Sequence, residues 1–169
     1  ENKYEANVVR TDVADRIALL KITEKISPKA IAELSWRVDG LGDFVIGAGF
    51  SFGGRLSAPS LISGSIKEFQ SLTGNIDYIR MAMATRDSDS GGPVLNRRGT
   101  LSGIIVSAVE DGRKLPEDVS YALRADKVIE LMRDAGLDVN QREVSKPVSD
   151  ILLAQKARDM TGLISCWID

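Results

Sequence analysis

The chain has 169 residues, 22 Lys+Arg against 24 Asp+Glu for a formal charge of −2, and 43% hydrophobic and 27% charged residues. That is the size and composition of one folded domain with its own core, and it excludes a disordered chain and a general nucleic-acid binder, which would carry a basic excess. One cysteine and no histidine exclude a disulfide within the chain and a Cys-cluster metal site, and any imidazole must come from elsewhere.

In chain order, the pattern is short strands with glycine turns and then a helical tail. Tyr4, Ala6 and Val8 alternate with Glu5 and Asn7, the period of a half-buried strand. Ile17-Ala18-Leu19-Leu20-Lys21-Ile22 reads as a buried strand. Ser27-Pro28 predicts a cap and first-turn proline, with a short helix or turn through Leu34. Phe44-Val45-Ile46 enters a glycine-rich stretch from Gly47 to Gly54, and Leu61 to Phe69 and Ile76 to Met83 read as strands. No Lys-Ser/Thr follows the glycines, so a nucleotide loop is rejected. Val94 to Asn96 and Thr100 to Ala108 flank the turn Arg97-Arg98-Gly99, and Val119 to Leu123 is a further strand.

From Asp126 the period becomes helical through Val128, Ile129, Leu131, Met132 and Ala135, and Gly136 is placed to end the helix. Asn140 to Pro147 reads as a linker, Asp150 as the cap of a second helix through Met160, and Thr161 to Ile168 as a last strand. Trp36 and Trp167 are expected to be core or interface aromatics, and Cys166 a buried, inert thiol. The expected units are 1–40, 41–124 and 125–169. No apolar run approaches the roughly 20 residues that span a bilayer, and the start, Glu1-Asn2-Lys3-Tyr4-Glu5, is not a signal peptide.

The stretch that carries chemistry is Arg86-Asp87-Ser88-Asp89-Ser90-Gly91-Gly92-Pro93-Val94. A nucleophilic serine must project from a tight loop whose own amides can bind an oxyanion, and glycines after it let the backbone turn and a substrate approach. A plain surface turn would also use Ser, Asp and Gly, but the six-residue pattern between two strands is more specific. Arg86-Asp87 reads as an ion-paired loop.

These residues resemble the Gly-Asp-Ser-Gly-Gly-Pro surroundings of the nucleophile in the trypsin/chymotrypsin superfamily, and the chain looks closest to its bacterial HtrA-like branch. The resemblance runs in order from Tyr4 to Gly136. Val45 to Gly53 is similar to the family's "IGNPFG" loop, Ser60 to Ile66 to its "TSGIVS" strand, Thr100 to Ser107 to the strand lining the substrate groove, and Val119 to Leu123 to its "GFAIP" ending. The linker and second helix match nothing in the family.

The resemblance implies an all-β, chymotrypsin-like double β-barrel, of which this chain supplies the end of the first barrel, a complete second barrel and C-terminal helices. It implies a serine endopeptidase with Ser90 as nucleophile and the amides of Ser88 and Ser90 as the oxyanion hole. Ala84 would form the floor of a pocket for a small or medium aliphatic side chain, with Ser107 and Ala108 as candidate walls. Asp89 falls where trypsins carry the aspartate that pairs with a new N-terminal amine; many HtrA-like chains have Asn there. No cofactor or metal is implied. The expected partners are a peptide or protein substrate, with no nucleic acid and no membrane span, and the branch favours a periplasmic or secreted setting.

Three departures stand out. The family's histidine is missing, so a second polypeptide or a segment outside this chain is expected to complete the first barrel and bring the imidazole; otherwise strand edges would lie open. The triad acid is displaced: an ungapped reading puts Arg16 at its position, leaving Asp15 as candidate acid through a bulge or loop, and Asp12 as a distant second. Ser88 stands where the family has glycine. The alternative reading is a catalytically inactive, protease-fold binding or scaffold module. A third is an interaction protein that docks through its C-terminal helix and strand.

Overall fold

The computed structural model describes residues 3–106, 109–110 and 113–166. Its first two strands, β1 (Ala6–Asp12) and β2 (Ile17–Ile22), form an antiparallel hairpin with a bulge at Val9. Six strands then close on themselves: β3 (Phe44–Gly49), β4 (Ser60–Glu68), β5 (Tyr78–Ala82), β6 (Pro93–Asn96), β7 (Leu101–Val106) and β10 (Val119–Arg124). Around the barrel the order is β10-β5-β4-β3-β6-β7. Between β7 and β10 lies a small ribbon, β8 (Val109–Glu110) with β9 (Arg113–Lys114). Two helices follow, α1 (Ala125–Asp134) and α2 (Asp150–Asp159). The chain is thus mostly β, with one closed six-strand barrel and two C-terminal helices as expected, preceded by a two-stranded hairpin. Among the described residues no helix is long and apolar enough to cross a membrane.

β3 and β6 are buried on both faces, because a second layer covers their outside. Val45, Ile66, Ile79, Met81, Met83, Val94, Ile105 and Ala122 pack inside the barrel. Ile46, Ala48, Leu95 and Leu101 face outward and pack under Leu153 and Ala157 of α2. Leu153 is 1% exposed, a burial that contributes roughly 2 kcal/mol. Two-sided burial explains why Phe44–Gly49 reads as a continuous apolar run rather than an alternation.

Helix α1 ends as its glycine predicts. Gly136 has φ 77°, the Gly136 N–H donates to the Arg133 carbonyl at 2.8 Å, and the Leu137 N–H to the Met132 carbonyl at 3.1 Å, a Schellman closure. The cap of α2 differs from expectation. Ser149 is the N-cap, its hydroxyl accepting from the Leu152 N–H at 3.3 Å, and Asp150 is the first helical residue, pairing with Arg97 at 3.0 Å.

Three further expectations are corrected. Residues 25–32 form no helix; Glu33 and Leu34 are instead drawn into bridges with Thr100 and Gln141. Residues 161–166 form no strand, because the barrel is closed and offers no edge to join. Cys166 therefore lies exposed on this tail, not buried in a sheet. Trp36, 59% exposed, is not a core residue, which leaves the interface half of its expectation. Trp167 lies outside the described residues.

The crossover 23–43 is fastened by charge. Asp39, with its side chain 8% exposed, accepts from Asn96 Nδ2 at 2.8 Å, an Arg98 guanidinium nitrogen at 2.7 Å and Ser102 Oγ at 2.6 Å. Glu33 pairs with Lys156 of α2 at 2.6 Å and with Arg142 at 2.7 Å. The Lys156 hydrogen bond is the largest cause holding the Glu33 carboxyl below its ordinary value of 4.5. Because the folded value is depressed, the stabilisation is fully present above 4.5 and is lost as pH falls through the folded value. Glu33→Gln should therefore cost about 1 kcal/mol at pH 7, the exposed Arg142 adding little. Urea unfolding at a series of pH values checks this: the gap between wild type and variant should close below 4.5.

Candidate active site

The loop between β5 and β6 condenses into a single 3-10 turn, Asp87–Asp89, which hands the chain to Ser90. Glycine is required at both positions that follow Ser90. Gly91 has φ 87°, and a Cβ on Gly92 would collide with the Ala48 carbonyl of β3. The turn is tied to the barrel through β7: the Gly91 N–H donates to the Ile105 carbonyl and the Ile105 N–H to the Gly92 carbonyl, each at 2.8 Å. Pro93 then opens β6, where its fixed φ suits a strand's first residue. Ser90 is left exposed at the top of this turn, on a platform of barrel backbone.

Asp89 is the opposite case, 1% exposed beneath the turn. Its carboxylate accepts from Ser51 Oγ at 2.6 Å and from the Arg86 N–H at 2.8 Å. It also fills the space above Gly49, where a Cβ would stand 2.6 Å from its Oδ1. An unpaired carboxylate at this depth would cost several kcal/mol, so these two donors make the buried position tenable. Sequence reasoning singled out Asp89 and missed Ser51, which is 4% exposed and looks like one polar residue among several in a glycine-rich loop.

The amides proposed for oxyanion binding are not equally placed. The Ser90 N–H donates to the Asp87 carbonyl at 3.2 Å, inside the turn. Ser88 and Ala84 are exposed, Ser88 within the turn and Ala84 on the segment leading to it. Ser107 and Ala108, the candidate pocket walls, lie outside the described residues. The Arg86 guanidinium sits 4.5 Å above the Phe52 ring, a cation–π contact that the expectation of an Arg86-Asp87 ion pair did not include.

Asp15 is engaged elsewhere. It lies in the β1–β2 turn, its N–H donating to Asp12 Oδ1 at 3.0 Å, with Arg16 next to it at φ 57°. Together with Asp12, Lys127 and Glu130 it lines a cleft between the hairpin and α1. Burial first, and then the neighbouring Asp12, push its carboxyl above the ordinary 3.8, against the opposing pull of Lys127. These contacts place it with α1 and the start of β5; none of them reaches Ser90.

Residues 1–104 match the family model described as Trypsin-like peptidase domain. Among solved structures, a serine-to-alanine mutant of Rv3671c from M. tuberculosis H37Rv, in an inactive form, superposes with a TM-score of 0.62 at 20% identity, covering 81% of this chain and 68% of that one. The Rv3671c protease, also in an inactive form, gives 0.61 at 21% identity over 79% and 68%. At such identities the likeness is one of fold. The uncharacterized protein y4bJ of Sinorhizobium fredii (strain NBRC 101917 / NGR234) is 21% identical over 168 residues, 95% of this chain; the chain spans 26% of that relative's length.

Two substitutions test the geometry. Gly49→Ala should cost about 2 kcal/mol by overpacking against Asp89, seen as a fall in the urea midpoint. Asp15→Asn should instead leave stability at pH 7 unchanged or slightly raised, since ionisation of a carboxyl with a raised folded value is penalised at any pH above that value. That advantage should vanish as pH falls below 3.8.

Proposed function

The chain belongs to the trypsin-like peptidase domain family, and from that premise we propose that it is an HtrA-like serine endopeptidase domain with Ser90 as its nucleophile. The observation that carries this reading is the exposed Ser90 hydroxyl on a turn anchored from below by buried Asp89. As Ser90 Oγ bonds to the carbonyl carbon of a peptide, its proton passes to an imidazole. That proton then leaves with the amine as the C–N bond breaks, and water hydrolyses the acyl-serine. The Ser88 and Ser90 amides would hold the oxyanion, which requires the Ser90 N–H to exchange the Asp87 carbonyl for it. Ala84, with Ser107 and Ala108, would receive a small or medium aliphatic side chain.

The imidazole comes from outside this chain, which has no histidine. The β1–β2 hairpin supports that division. Among the described residues no third strand joins it, and Val8 and Val9 are 62% and 51% exposed. Two strands alone are marginal in water, so a second polypeptide, or a further stretch of this one, would complete the barrel here. Asp15 is the candidate to orient the ring once that complement packs against the hairpin.

A second reading, a non-catalytic module that binds peptides with the same fold, is favoured by the Ser90 amide being committed to Asp87 and by Arg16 standing in the turn.

A fluorophosphonate separates the two. Free imidazole added to the purified chain should accelerate covalent labelling at Ser90, saturably and by roughly tenfold or more as an added general base, and Ser90→Ala should abolish it. A folded chain that stays unlabelled both with imidazole and with its histidine-bearing complement is the scaffold.

A further inference from the structure

The loop after β3 carries a backbone feature that the proposed chemistry does not use. Phe52, Gly53 and Gly54 have φ of 70°, 62° and 75°, three left-handed residues in succession where single ones are the rule. Phe52 has a Cβ and is strained there, and such strain persists only where neighbours over-determine it. Two neighbours do so. On one side the Arg86 guanidinium covers the Phe52 ring. On the other, Leu163 of the C-terminal tail lies so close to Gly54 that a Cβ would stand 2.7 Å from its Cδ2. One residue before the strained segment, Ser51 gives its hydroxyl to Asp89 beneath the Ser90 turn. The loop therefore touches the turn at one end and the tail at the other.

We infer that residues 50–54 are a two-position latch on the Ser90 turn, with Ser51 as its positioning residue and the tail's Leu163 as its clamp. The inference deepens the serine-nucleophile reading and takes its functional meaning from it. With Leu163 seated, the left-handed segment is held, Ser51 keeps Asp89 in place, and the Ser90 N–H stays bonded to the Asp87 carbonyl. With the tail drawn away, Phe52 relaxes to negative φ and Ser51 withdraws. Asp89 then keeps only the Arg86 N–H, and the 3-10 turn opens to free the Ser90 amide. Whatever holds or removes the segment after α2 thereby sets how often that amide is available.

Amide hydrogen exchange on the 169-residue chain reads this directly, because the Ser90 N–H exchanges only when the turn opens. Leu163→Ala and Ser51→Ala should each accelerate exchange at Ser90 and Gly92 by about tenfold, with the β3 and β6 amides unchanged. Leu163 is 54% exposed, so its truncation should leave the fold intact. Gly54→Ala, which both crowds Leu163 and penalises the left-handed φ of 75° at that position, should reproduce the effect. Unchanged exchange at Ser90 in both Leu163→Ala and Gly54→Ala overturns the latch, as does an acceleration spread equally over the barrel. Fluorophosphonate labelling is scored separately: faster exchange around an unreactive Ser90 sinks the peptidase reading and leaves the latch standing, and a reactive Ser90 with unmoved exchange does the reverse.

Discussion

A carboxylate can sit under a turn in a protein interior only if donors replace the water it has lost, and the donors that do so for Asp89 come from two separate segments. One is the Arg86 N–H, three residues back on the same turn; the other is the Ser51 hydroxyl, on the loop leaving β3. That pairing couples the conformation of 86–90 to the conformation of 50–54. The exposed position of Ser90, the engagement of its amide and the need for glycine at 49 all follow from where this one buried charge is held.

The barrel makes the arrangement rigid. Gly92 presses on the backbone of Ala48, and β7 takes the two amide–carbonyl bonds made by Gly91 and Gly92, just after Ser90. Outside it, α2 fills the second apolar layer and is pinned by Glu33 to the crossover. The same C-terminal segment then runs on to Gly54 through Leu163. So an element with no counterpart in the family resemblance serves both the packing of the barrel and the loop beside the candidate nucleophile.

The strands, the Gly136 helix stop and the Ser90 turn were legible because each has a local cause: apolar runs, a left-handed glycine, a Ser-Gly-Gly-Pro order. What was not legible is decided by distant contacts. The Ser27-Pro28 signal yields to bridges that Glu33 and Leu34 make with residues far along the chain. The apolar end 161–166 has strand composition, but no open edge of the barrel exists for it. Ser149 outcompetes Asp150 as cap by one residue, because its hydroxyl is the one that reaches the Leu152 N–H. Ser51 carries no local mark at all, since only the fold brings it to Asp89. Nor does any local pattern bring Lys127 and Glu130 of α1 to the cleft that Asp15 lines in the hairpin turn.

The closure of the barrel also governs how the chain reaches its native state. Two of its six seams join strands well separated in sequence: β3 pairs with β6, and β10 pairs back with β5. Such pairings demand long loop closures before they are rewarded, the regime in which small β proteins fold over roughly milliseconds to seconds. Until those seams zip, one edge each of β3, β6, β5 and β10 stays unpaired. Newly made chains are therefore most vulnerable to self-association in that interval, and high expression at elevated temperature would favour inclusion bodies over the finished barrel.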